Sequence, residues 1–207
     1  MNMEPYEWNV VILGFWNPAI LTPAGIAKRL LGLEENTPIG VEVPLDGLAP
    51  FRVKYDNVTV TAEVGRLTIL SDLPEYDLLA RSMKIATKAI CSLPETPLTA
   101  AGFNLKFRID DPTDDLIAAL VTPLDNRISD AEFSIKSRRT KRSLEYDKGT
   151  LNLDIKLDET QKIKIHFNFH RQSAKQEDLT EWLETPIDKV RKTVNSINKK
   201  VFQCGEA

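Results

Sequence analysis

Histidine and cysteine are nearly absent from this chain: its 207 residues hold two of each. Cys91 and Cys204 stand far apart in sequence. Cys91 sits on a helical apolar pattern that reads as core, and Cys204 sits in the terminal tail. No structural disulfide is expected, and free thiols suit a reducing compartment, so the cytoplasm is the expected location. Glycine is also sparse, at nine residues. No Gly-rich loop follows a strand, and G-x-S-x-G, H-E-x-x-H and C-x-x-C are missing, so no recognised nucleotide, hydrolase, zincin or redox motif is present. Charge of neither sign dominates. Lys and Arg total 27, Asp and Glu 30, and the formal net charge of −3 gives no global attraction to nucleic acid or anionic membrane. Long hydrophobic runs are lacking too. The longest, Val10 to Trp16, has seven residues, whereas a membrane span needs about 20. With no basic start before it, this stretch reads as a buried strand rather than a signal peptide, and no membrane partner is expected.

What is present is an alternation of strand and helix patterns. Asn9 to Trp16 is apolar on both faces, which suggests a central strand. Thr22 can cap a helix that begins at Pro23, runs through Ile26, Ala27, Leu30 and Leu31, and ends at Gly32. From Val41 to Leu70 the period changes to two, with Phe51, Val53, Tyr55, Val58, Val60, Ala62, Val64, Leu67 and Ile69 inward, which predicts an antiparallel meander. Asp72 and Glu75 have capping-box spacing ahead of a helix carrying Tyr76, Leu79, Ala80, Met83, Thr87 and Ile90 on one face. A strand follows with Phe103, Leu105, Phe107 and Ile109 inward. Asp111-Pro112 opens a short helix to Leu120, and a polar link leads on to three or four more strands. Thr185-Pro186 with Asp188 marks the start of a last helix. The predicted fold is α+β: a single antiparallel or mixed β-sheet of about seven to nine strands with three or four helices on one face. Residues 1–207 read as one domain. A subdivision near 110–130 would separate a β-α-βββ-α-β front half from a β-hairpin and C-terminal helix.

The segment "KSRRTKR" places Lys136, Arg138, Arg139, Lys141 and Arg142 within seven residues. The inward residues are odd before it (Phe133, Ile135) and even after it (Leu144, Tyr146), so a bulge or loop is predicted between 137 and 143. A Lys148-Gly149 turn would set Leu144 opposite Leu153, Tyr146 opposite Leu151, Arg139 opposite Asp158 and Lys141 opposite Lys156. One reading is a bulged, charged edge strand protected against aggregation. The other is a nucleic-acid site, in which each cation neutralises a phosphate. No aromatic residue interleaves with the run, and this weighs toward the edge strand.

Other constellations are thinner. His166 and His170 share the outer face of one strand about 13 Å apart, too far for one zinc, and read as a solvated pair with Asp154 within reach of one of them. Asp110, Asp111, Asp114 and Asp115 read as helix-start carboxylates with Asp111 as the cap, and no metal is expected there. Asp154-x-Lys156, with Glu145 and Asp147 across the hairpin, resembles over that fragment alone the acid-x-Lys element of metal-dependent nucleases of the restriction type. The resemblance implies a magnesium-holding pair of carboxylates.

Ile187, Val190, Val194, Ile197 and Val201 recur at intervals of 3, 4, 3, 4. The seam docks on the chain's own sheet or, being narrow, meets a protein partner or a second copy. The leading functional expectation is a non-catalytic intracellular interaction or adaptor protein, binding through the antiparallel sheet or the C-terminal helix and needing no cofactor. The alternative is a nucleic-acid-binding module using 136–142, and the third is a nuclease-like site on the 144–157 hairpin.

Overall fold

Trp8, Val10 and Ile12 alternate with Asn9, Val11 and Leu13, and the first set is fully buried. This strand, β1 (Glu4–Gly14), is the lateral centre of the molecule. The computed structural model describes residues 2–45 and 49–204. The chain continues through α1 (Pro23–Gly25), which runs on as a π-helical turn (Ile26–Leu31), to β2 (Gly40–Glu42), β3 (Arg52–Tyr55), β4 (Val58–Glu63) and β5 (Arg66–Ser71). Next come α2 (Tyr76–Ser92), β6 (Leu98–Ile109), α3 (Asp114–Ala119) and α4 (Pro123–Asp130). The last part is β7 (Arg138–Tyr146), β8 (Gly149–Leu157), β9 (Ile163–Gln172), α5 (Gln176–Leu183), and α6 (Ile187–Ile197) with a second π-helical turn (Asn198–Phe202). The part of the expected meander at 46–48 lies outside the described residues.

The nine strands of the described residues join one antiparallel sheet in the order β2-β3-β4-β5-β1-β6-β9-β8-β7. The core lies on one face. Leu79, Met83, Ala86 and Ile90 of α2, Leu179, Trp182 and Leu183 of α5, and Val190 and Val194 of α6 cover the inward side chains of the sheet. Phe103 and Phe169 stack at 4.7 Å beneath Trp182, and Tyr146 meets Phe169 edge-on at 4.9 Å. Fully burying side chains of this size contributes about 1.5–3 kcal/mol each. The other face carries no such cover: Phe15, just beyond β1, is 69% exposed. Among the described residues no helix is long and apolar enough to cross a membrane.

Local chemistry accounts for most boundaries. Thr22 Oγ1 accepts from the Gly25 N–H at 3.1 Å, and Gly32 at φ 72° closes the π-helical turn. Asp56 and Asn57, both at positive φ, form the tight turn between β3 and β4.

Several expectations need correction. Asp72 does not cap α2. Its N–H donates to the Asn57 carbonyl at 2.9 Å and its Oδ1 accepts from Thr59 Oγ1 at 2.6 Å, so it still belongs to the sheet end. Asp111 does not cap α3; Thr113 does, accepting from Leu116 N–H at 3.4 Å. The polar link hides α4, started by a Thr122–Asp125 capping box with Pro123 at the first helical position. Conversely, Thr185 is no cap, because its hydroxyl donates to the Trp182 carbonyl at 2.7 Å and finishes α5. Cys91 is exposed, against the core reading of its helical pattern, and Cys204 of the terminal tail is buried. The helical rotation of α2 turns Cys91 outward, and the second π-helical turn folds Cys204 back so that its N–H reaches the Asn198 carbonyl.

The β7–β8 hairpin differs in register and not in facing. Its turn is Asp147-Lys148, with Asp147 at φ 47°, so Leu144 pairs with Leu151 and Tyr146 with Gly149. The shift from expectation is two residues, which preserves parity. The predicted bulge or loop does not interrupt 138–143. Residues 133–137 are irregular, Phe133 is 70% exposed, and β7 pairs without interruption from Arg138 to Tyr146. The apparent parity change therefore separates a loop from a strand.

Candidate functional site

On the uncovered face, register aligns outward residues into rows that cross five strands. Asn9, Asn104, Asn168, Asn152 and Ser143 occupy one level on β1, β6, β9, β8 and β7. Their side chains form a continuous ladder. Asn104 donates to Asn9 at 2.8 Å, Asn168 to Asn104 at 2.7 Å, Asn152 to Asn168 at 2.9 Å and Ser143 to Asn152 at 2.8 Å. Asn9 in turn donates to the Glu7 carboxylate at 3.4 Å. A carboxylate only accepts, so Glu7 gives the whole chain one direction, and aligned bonds of this kind polarise one another. His166 joins from the next level: its Nε2 lies 2.8 Å from Asn104 Oδ1, so Nε2 carries the proton. Burial, and then Lys106, push the His166 pKa below its ordinary value, while Asp154 and Glu7 pull the other way.

The second row is Glu7, Lys106, His166, Asp154 and Lys141, an acid–base pair on either side of the histidine. Lys106 pairs with Glu7, and Arg139 makes a two-pronged contact with Asp154. That contact is the main reason the Asp154 carboxyl sits below its usual pKa range. The third row is Glu4, Arg108, Lys164, Lys156 and Arg139. A groove of about 410 Å³ lies over β7–β9, lined by Arg139, Lys141, Asn152, Asp154, His166 and Asn168 among others.

The basic run does not form one patch. Lys136 is exposed in the irregular segment before β7. Arg138 points to the inner side and holds Asp125 of α4 at 2.7 Å. Arg139 and Lys141 point outward, Lys141 at 4.0 Å from Asp154. Arg142 turns its guanidinium onto the Lys141 carbonyl at 2.9 Å. The expected partner of Arg139, Asp158, is displaced by the register shift, and the diagonal Asp154 takes its place.

Nor do the four hairpin residues converge. Glu145 pairs with Thr150, about 13 Å along the strand from the Asp154 level, and Asp147 is ion-paired to Lys189. Asp154 is already held by Arg139, and Lys156 lies in the third row. Among the described residues no group of three or more His, Cys, Asp or Glu is placed to hold a metal. His166 and His170 do share the outer face, but they are not an equivalent solvated pair, because His166 is drawn into the ladder.

The C-terminal seam is divided. Val190 and Val194 are fully buried, Ile187 and Ile197 half-buried, and Val201 is 55% exposed. The π-helical turn changes the angular step after Ile197 and turns Asn198 and Phe202 inward in place of Val201.

Missing from the sequence reading are the ladder itself and the members Arg108 and Lys164 of the third row. A signal for the ladder exists: Asn stands between large apolar residues in "WNV", "FNL", "LNL" and "FNF", once on each of four strands. Comparison with protein-family models, curated proteins and solved structures finds no match to this chain.

Proposed function

We propose that this chain is a non-catalytic interaction protein whose partner, another protein, docks on the open outer face of the sheet. The observation that carries this reading is the asparagine ladder. Asparagine is disfavoured in strands, and a face that only meets water has no packing need for four of them in one row. What the row supplies is order. Each amide is held by its neighbours, so a partner meets polar groups whose rotamer entropy is already lost. An amide has two N–H donors and two acceptor lone pairs, so Asn168, for instance, retains one of each beyond its two ladder bonds. The cytoplasm remains the proposed location, where two unpaired thiols are stable.

The competing surfaces have less support. The seam of α6 turns its central valines into the core, and the cations of 136–142 divide between two faces with Arg138 and Arg139 already paired. The test is affinity capture from the native host with the tagged full chain and with an Asn104→Ala, Asn168→Ala variant. A captured protein should be lost by the variant, which should retain the parent's circular dichroism and elution volume. Breaking the ladder should cost about 1–2 kcal/mol in urea unfolding, because the freed polar groups are half-exposed and water replaces their partners. Equal capture by parent and variant would remove the outer face from consideration.

A further inference from the structure

The third row of the outer face departs from ordinary strand pairing. Lys156 and Lys164 are direct cross-strand partners, and both are exposed. Like charges opposite one another weaken an antiparallel pair. The row extends the anomaly, with Arg108 beside Lys164 on β6 and Arg139 beside Lys156 on β7. Its ends are neutralised within the chain. Arg108 meets Glu4 at 2.9 Å and Asp110 at 3.5 Å, and Arg139 holds Asp154. Its centre has no direct pair: among the described residues no carboxylate lies within 4.0 Å of Lys156 or Lys164, and only the longer-range attraction between Lys164 and Asp158 offsets the charge there. A chain of net charge −3 has carboxylates to place there, so the row is not the overflow of a basic composition. Local rules broken in a well-formed sheet mark functional surfaces.

We propose that this row receives an acidic, extended segment of the partner protein, with carboxylates on alternate residues; the proposal rests on the outer-face reading above. Strands about 4.8 Å apart set Lys156 and Lys164, the two cations left without a direct pair, one strand spacing apart. Alternate residues of an extended chain repeat about every 6.7 Å, so carboxylates at i and i+2 come within reach of both flexible lysine stems. Two observations favour a polypeptide over a nucleic acid. The rings of β6–β9, Phe103, Phe107, Phe167, Phe169 and Tyr146, belong to the inner core, and the exposed ring at the flank, Tyr6 of β1 beside Lys106, is a single one where single-strand binders stack successive bases on several. The adjacent row carries Glu7 and Asp154, which oppose a duplex charged about every 1.7 Å of its axis more than a peptide charged about every 6.7 Å.

The test uses fluorescence anisotropy with the full chain at low salt, a labelled alternating Glu-Ser peptide and a labelled oligothymidylate. The peptide should bind. Lys156→Gln with Lys164→Gln should weaken it about tenfold, the equivalent of two exposed ion pairs. Lys156→Glu should weaken binding as well, while its melting temperature stays at or above the parent's because a like pair becomes an opposite one. No peptide binding, or equal binding by parent and variants, overturns the proposal. So does tighter binding of oligothymidylate that the same variants abolish, which would assign the row to nucleic acid. If the peptide fails but the Asn104, Asn168 variant still loses its captured protein, the charge assignment falls and the docking face stands.

Discussion

At the scale of single residues, His166 shows how burial converts a surface-pattern histidine into a structural one. Its folded pKa lies below the unfolded value of 6.5, chiefly through desolvation, with Lys106 and Arg139 adding to the shift and Asp154 and Glu7 opposing it. Between the two values the unfolded chain binds a proton that the native chain does not. Stability therefore rises with pH across that window and falls as pH drops from about 7 toward 5. His166→Gln, which keeps a donor for Asn104, should flatten the slope. Melting temperatures of parent and variant at both ends of the window check this, and equal slopes would remove His166 as the cause. The paired carboxylate of Asp154 is held low by Arg139, so its contribution is lost only at more acidic pH and does not confuse the comparison.

At the scale of elements, α6 and its π-helical extension decide what the apolar seam does. The 3, 4, 3, 4 spacing is satisfied up to Ile197, after which the wider π-helical turn rotates Val201 to solvent and brings Phe202 to the core. Val194→Asp should cost more than about 3 kcal/mol, since it puts an unpaired charge where a fully buried valine packs. Val201→Asp should stay within about 0.5 kcal/mol. Urea unfolding with sizing of both variants is the measurement. A folded Val194→Asp protein with altered oligomeric state would mean that the seam serves an interface. The hairpin β7–β8 makes a related point: a two-residue shift in its turn changed every cross-strand partner and left every side chain on its own face.

For the whole molecule, the uneven position of strands in the sheet sets a stability gradient. β1, β6 and β9 each lie between two paired strands and their inner faces lie in the aromatic core, whereas β2 and β7 are edges. Amide hydrogen exchange should be slowest in β1, β6 and β9 and fastest in β2 and β7. Fast exchange in β9 would contradict the one-sided core. The same architecture leaves one broad face free, and that face is where both the ladder and the cation row lie. The charges of β7 also suit an exposed edge, where lysine and arginine discourage strand addition.

Periodicity by itself determined which side chains look inward. Phe103, Leu105, Phe107, Ile109, Ile163, Ile165, Phe167 and Phe169 are buried as their alternation requires, and the long face of α2 follows its helical spacing. These are properties of one segment at a time, so a local pattern carries them. The α+β class follows from the same patterns. Only the tertiary structure decided which outward residues share a row. Asn9, Asn104, Asn168, Asn152 and Ser143 come together through four strand pairings, two of them between segments well separated in the chain, and each adds a register that no single segment encodes. The basic run failed as a patch for the complementary reason. Neighbours in sequence along a strand point to opposite faces, so closeness in the chain kept those charges apart, and closeness across strands built the row that holds Lys156 and Lys164.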